Sequence, residues 1–220
     1  MTTDSLPTYT IASNTISCLL FDLDDTLYPQ DNGLWEMIRA RINRYMLEEM
    51  GFSPEEVPSL RHRLWRQYGT TLRGLQAEFS VNMDAFLDYV HDIPLETVLS
   101  PHPALAALLD GFPQRKIIFT NANATHARRV LHALGIEDLF EHIVDIYAMQ
   151  PYCKPHPEAF HTALAFLKEP PEACLLIDDS PHNLETAQGL GLSAVLVGRQ
   201  TSDGIPQIDS ILDLQDVLNG

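Results

Sequence analysis

Long apolar runs are missing from this chain of 220 residues. No stretch approaches the roughly 18 consecutive apolar residues of a membrane span, so no transmembrane helix is expected. Clustered positive charge is missing too. Lys and Arg number 14 against 30 Asp and Glu, a formal charge of −16, and the basic residues are spread thinly. A surface for a nucleic-acid polymer or an anionic membrane needs them gathered, and neither partner is expected. The N-terminus MTTDSLPTYTIASNT lacks the basic-then-apolar plan of a signal peptide, so the expected compartment is cytoplasmic. The three cysteines, Cys18, Cys153 and Cys174, show no CxxC spacing. Cys18 and Cys174 each open an apolar run, and all three read as buried free thiols rather than metal ligands. No repeat, low-complexity tract or protein-partner motif is visible.

What is there is a globular composition, 45% hydrophobic and 20% charged, long enough for one domain carrying a smaller insert. The chain opens with a short apolar strand, ISCLLF. From Gly33 the spacing turns helical, with Leu34, Ile38, Ile42 and Met46 four apart. Helical patterns continue through SPEEVPSLRHRLWRQYG, where Ser53 and Pro54 suit a cap and first turn, and through MDAFLDYVHDIP. After residue 100 strands and helices alternate: KIIFTN, THARRVLHALG closed by Gly135, IVDIY, PEAFHTALAFL, ACLLID, NLETAQGLG and SAVLVG. Such alternation requires right-handed crossovers and a mainly parallel, doubly wound α/β sheet. Residues 33–100 do not fit it and are expected to form an inserted α-helical cap, leaving residues 15–32 and 101–220 as the α/β core.

Polar clusters follow the apolar strands: Asp22-x-Asp24-x-Thr26, Thr120-Asn121, and Asp178-Asp179-Ser180, with Lys154-Pro155 before a helix. Ligands of open parallel sheets bind outside the carboxyl ends of the strands, so these groups should converge. Carboxylates, one amine and hydroxyls suit phosphoryl transfer. An oxygen-seeking cation, Mg²⁺, would offset the repulsion among the acids, while Lys154, Thr120 and Asn121 would hold phosphate oxygens. Two acids two residues apart can divide the labour, one attacking phosphorus and the other, pressed by like charge, carrying a proton for the leaving oxygen.

The ordered motifs DxDxT, Thr-Asn, Lys-Pro and Asp-Asp-Ser resemble those of the haloacid dehalogenase superfamily, which implies a Rossmann-like core with a mobile cap. DLDDTLYP, YGTTLRGL, YVHDIPL, RKIIFTNANATHARRVL and KPHPEAF are similar to its pyrimidine 5′-nucleotidase branch, implying hydrolysis of UMP and CMP. By that resemblance Asp22 is the nucleophile and Asp24 the general acid and base. Mg²⁺ is held by Asp22, the backbone carbonyl of Asp24 and Asp179, with Asp178 bound directly or through water. Thr120 and Lys154 grip the phosphate, and Asn121 helps orient it. The acid at position 24 favours phosphate esters over carbon–halogen bonds. Phosphoglycolate or sugar phosphates are the alternative substrates. A non-enzymatic phospho-acceptor module is the remote alternative, disfavoured by Asp24 and by the insert. The nine histidines, with no paired ligand spacing, read as surface or rim residues, and Trp35, Trp65 and Tyr68 as cap core. YGTTLRG reads equally as substrate lining or as a break between helices; Asp25 reads as structural or solvated, and Thr26 as a brace for the turn.

Overall fold

The computed structural model describes Ile11 and residues 15–218. Among the described residues, six parallel strands run in the order β3-β2-β1-β4-β5-β6: β1 (Cys18–Phe21), β2 (Arg115–Phe119), β3 (His142–Val144), β4 (Cys174–Asp178), β5 (Ser193–Val197) and β6 (Gln207–Ile208). This is the expected doubly wound α/β architecture. β1 and β4 are buried along their whole length, as continuous apolar strands covered on both faces must be. β1 lies at the centre, Phe21 in register with Ile118 on one side and Ile177 on the other. The residues that follow the three strands therefore emerge side by side. Cys18 and Cys174 are register partners at the other end of β1 and β4, and all three cysteines are buried and free.

Between β1 and β2 come α1 (Leu34–Glu48), α2 (Glu56–Tyr68), α3 (Thr71–Phe79), α4 (Met83–His91) and α5 (Pro103–Asp110). Ser53 caps the entry to α2: its hydroxyl accepts the Glu56 N–H while its own N–H donates to the Glu56 carboxylate, the reciprocal pair of a capping box. α2 buries only Val57 and Leu64, a narrow stripe. Trp65, one step around the helix, is therefore 47% exposed, and Trp35, beside the buried Leu34–Ile38–Ile42 stripe of α1, is 37% exposed, which corrects their expected burial. Gly74 keeps α3 close to α2, since a Cβ there would lie 2.6 Å from Leu64 Cβ.

The return half alternates as expected through α6 (Ala124–Leu134), α7 (Pro157–Leu167), α8 (Pro181–Gly189) and α9 (Leu214–Leu218). β3 is shorter than the IVDIY pattern, because the Asp145 carboxylate accepts the N–H groups of Tyr147 and Ala148 and turns the chain. Among the described residues no helix is long and apolar enough to cross a membrane.

Candidate active site

The carboxyl ends of β1, β2 and β4 deliver Asp22, Thr120 and Asp178 to one place, and the loop after β3 brings Lys154 to it. Asp22 is anchored by its own N–H, which donates to Ile177 O on β4 at 2.8 Å. Lys154 is 1% exposed, and its Nζ donates to Asp22 Oδ1 at 2.8 Å and to Asp178 Oδ2 at 2.7 Å. The ammonium also lies 5.1 Å from the centre of the Phe119 ring. Burial opposes its charge, but the Asp178 and Asp22 carboxylates outweigh burial and raise the amine above its ordinary value. A lysine with no access to water is tolerable here because each neighbour neutralises part of it.

Asp178 is wholly buried and its oxygens are spent. Oδ1 accepts from Ser180 N and Asn183 Nδ2, both at 2.9 Å, and Oδ2 from Lys154 and, at 3.0 Å, the same amide. Asp179 is more open, and its Oδ2 accepts from Gln30 Nε2 at 3.2 Å. Burial, reinforced by the other carboxylates and only partly relieved by Lys154, pushes Asp22 up to about 7 and Asp179 up to about 8. Three acids thus crowd one amine. Oxygens of Asp22, Asp178 and Asp179 lie within 4.8 Å of one another, a set of hard donors suited to a small divalent cation.

Asp24 behaves otherwise. Burial raises it, but the hydrogen bonds from His126 and Tyr28 prevail and hold its carboxyl below the ordinary range. The expectation that crowding alone keeps a proton on this acid therefore does not hold; among these acids, crowding and burial raise Asp22, Asp25 and Asp179. Its side chain is turned toward Tyr28 and His126 rather than toward Asp178 and Asp179. Asp25 adopts a left-handed φ of 62° and is pushed up to about 7 by burial, Asp24 and Glu36. Thr26 is buried and its hydroxyl has no partner.

Thr120 is buried at the end of β2, its Oγ1 accepting the Ala122 N–H at 3.0 Å. Asn121 spends its amide on the backbone of Lys154: Nδ2 donates to Lys154 O, and Oδ1 accepts Lys154 N–H, both at 2.9 Å. The YGTTLRG stretch is a helix break that docks on the same loop. Gly69 has φ +83°, and a Cβ there would lie 2.8 Å from Lys154 O. The Thr70 side chain accepts Arg73 N–H and caps α3. Arg73 is buried, donating to Ile146 O at 2.6 Å and to Tyr152 O at 2.9 Å, so its guanidinium braces the loop.

Sequence reading missed the groups that hold these acids. Tyr28, Gln30, Asn183 and His126 all touch site carboxylates. His126 and His91 are buried, not rim residues, with rings stacked 4.1 Å apart; burial and His126 lower His91 to about 3. The signal available was position: His126 falls in the first turn of a helix that starts just past the Thr120-Asn121 strand end.

A family model for haloacid dehalogenase-like hydrolases matches residues 16–191. The chain belongs to that family. The hydrolase is 28% identical over 193 residues to Phosphate metabolism protein 8 of Saccharomyces cerevisiae, an alignment covering 80% of this chain and 60% of the yeast protein's length. Among solved structures it is similar to CbbY from Rhodobacter sphaeroides in complex with phosphate, at TM-score 0.66 and 21% identity over 90% of this chain and 96% of that one. It is also similar to the HAD hydrolase YfnB from Bacillus subtilis bound to magnesium, at TM-score 0.61 and 18% identity over 93% and 99%. At these identities the structural likeness establishes the Rossmann-like fold.

Proposed function

We propose that this hydrolase is a Mg²⁺-dependent phosphomonoesterase acting through an aspartyl-phosphate, with pyrimidine nucleoside 5′-monophosphates as its preferred substrates. The observation that carries the chemistry is the buried Lys154 amine bridging Asp22 and Asp178 with Asp179 alongside. Residues 33–100 act as a cap over a core of residues 15–32 and 101–220.

The donor set fits the metal. Asp22 and Asp179 supply side-chain oxygens and Asp24 its backbone carbonyl, while Asp178, its oxygens already engaged by protein donors, supports the site from behind. When bound, the cation screens the carboxylates and draws charge from the phosphate oxygens. Asp22 accepts Lys154 on Oδ1 only, which leaves Oδ2 for attack on phosphorus. Lys154 and Thr120 hold phosphate oxygens, and Asn121 sets the Lys154 backbone that carries the amine. Asp24 gives a proton to the leaving oxygen and later takes one from the water that cleaves the acyl phosphate. Being ionised in the resting site, it must take up that proton as the dianionic ester arrives, which like charge favours.

The substrate class rests on the resemblance of YGTTLRGL, YVHDIPL and KPHPEAF to the pyrimidine nucleotidase branch. Phosphate release from UMP, CMP, purine monophosphates, phosphoglycolate and sugar phosphates, each with Mg²⁺ and with EDTA, tests both halves. Metal-dependent release led by UMP and CMP is expected. Another leading ester would overturn the substrate, and no release from any of them would overturn the chemistry.

A further inference from the structure

Asp24 carries two side-chain contacts, and both fall on the same oxygen. Tyr28 Oη donates to Oδ1 at 2.5 Å, and His126 Nε2 lies 3.4 Å from it. A carboxylate tethered at one oxygen by one group can still swing about its terminal torsion; two tethers from different directions fix it, and proton traffic is left to Oδ2. His126 is itself well placed. Its backbone N–H donates to Asn123 Oδ1, the N-cap of α6, at 2.9 Å, and its ring lies flat against that of His91, the planes 15° apart.

His91 ends α4, the last α-helix within residues 33–100. Arg129, one turn past His126, donates to His91 O and to Ile93 O, both at 2.6 Å. Both rings leave a buried Nδ1 without a partner, a cost that an apolar pair of the same volume would avoid. Packing alone therefore does not account for two imidazoles here. For His126 the Nε2 edge facing Asp24 does, and His91 supplies the flat ring against which it stacks.

We propose that His126, backed by the stacked ring of His91, is a positioning residue that together with Tyr28 fixes the Asp24 carboxylate and ties its orientation to the end of the helical insert. The inference rests on the reading of Asp24 as proton donor and acceptor. A misoriented Asp24 leaves ester binding untouched and slows the steps that move protons. An aryl phosphate, whose phenolate leaves without help, needs Asp24 only for the second step.

The test compares wild type, His126→Leu, His126→Gln, Tyr28→Phe, His126→Leu with Tyr28→Phe, and Asp24→Asn. Steady-state kcat and KM are measured on a nucleoside monophosphate, and the pre-steady-state burst on an aryl phosphate. For His126→Leu, kcat should fall roughly 10- to 100-fold with KM within about threefold, while the aryl burst rate falls much less. His126→Gln, whose amide N–H reaches the Nε2 position, should recover most of the loss, and the double variant should lose less than the product of the two single losses, because both groups hold one oxygen. A kcat within about threefold of wild type for His126→Leu, or an equal fall in the aryl burst, overturns the proposal. Should His126→Leu not fold, His126→Gln against the shorter His126→Asn separates the same outcomes. Asp24→Asn distinguishes the levels: if it retains turnover, the role of Asp24 falls and this inference with it; if it is inactive while His126→Leu is not, only the inference falls.

Discussion

Removing the metal from this site makes its folded state sensitive to pH in a direction that the geometry sets. Asp22 and Asp25 are pushed up to about 7 and Asp179 up to about 8, whereas unfolded carboxyls titrate near 4. Between those values the metal-free folded state holds protons that the unfolded chain has lost, so stability falls as pH rises. His91, lowered to about 3, works oppositely, but only below the ordinary histidine value of about 6.5. The acids therefore stand unopposed by it from about pH 6.5 to about pH 8. Over that window their combined loss comes to about 2 to 3 kcal/mol, treating the coupled acids together. Urea unfolding in EDTA at the two ends of the window should show this drop. Excess Mg²⁺ should restore stability more at the higher pH, because a cation competes with the protons for the same oxygens. An EDTA profile that is flat or rising, together with Mg²⁺ stabilisation equal at both ends, would refute the reasoning.

Other consequences follow from the buried contacts. Lys154→Met leaves Asp22 and Asp178 without their shared cation; about 3 to 5 kcal/mol of metal-free stability at neutral pH should go, and turnover with it, which denaturation and phosphate release will check. Arg73→Met strips the buried donors from Ile146 O and Tyr152 O, and about 2 to 4 kcal/mol should be lost; a midpoint in urea unchanged from wild type would show that the loop carbonyls find other partners. Gly69→Ala forces a side chain onto a φ of +83° and into the Lys154 carbonyl, costing about 1 to 3 kcal/mol and lowering kcat by displacing the lysine, as unfolding and kinetics together will tell.

Much of this was legible in the sequence because the governing signals are local. An apolar run broken by Asp22 or by Asp178 says both that a strand is buried and that its end is polar, and parallel topology then brings those ends together. What was not legible depends on contacts across the chain. His126 meets Asp24 across a sequence separation of 102; its place four before Val130 puts it on the apolar face of α6, but nothing in the THARRVL pattern says which group that ring touches. Lys154 could be placed at the site but not its pairing with both carboxylates. The charge on Asp24 was misjudged because neighbouring acids can be counted from sequence, whereas the burial of this carboxyl and the hydrogen bonds from His126 and Tyr28 that outweigh that burial cannot. Trp65 carries helical spacing, but which face of α2 is covered depends on where α3 sits. β6, two residues long, is defined by its pairing with β5 rather than by any pattern of its own.

The central claim is that Asp22 becomes phosphorylated. Asp24→Asn mixed with an aryl phosphate and Mg²⁺ should release one equivalent of phenol quickly and then stall, since the leaving group needs no proton and the water-activating carboxylate is gone. Peptide mass spectrometry of the acid-quenched protein should then find the phosphoryl group on the peptide containing Asp22, and Asp22→Asn should abolish both burst and label. A label on any other residue, or an undiminished burst in Asp22→Asn, would contradict the account.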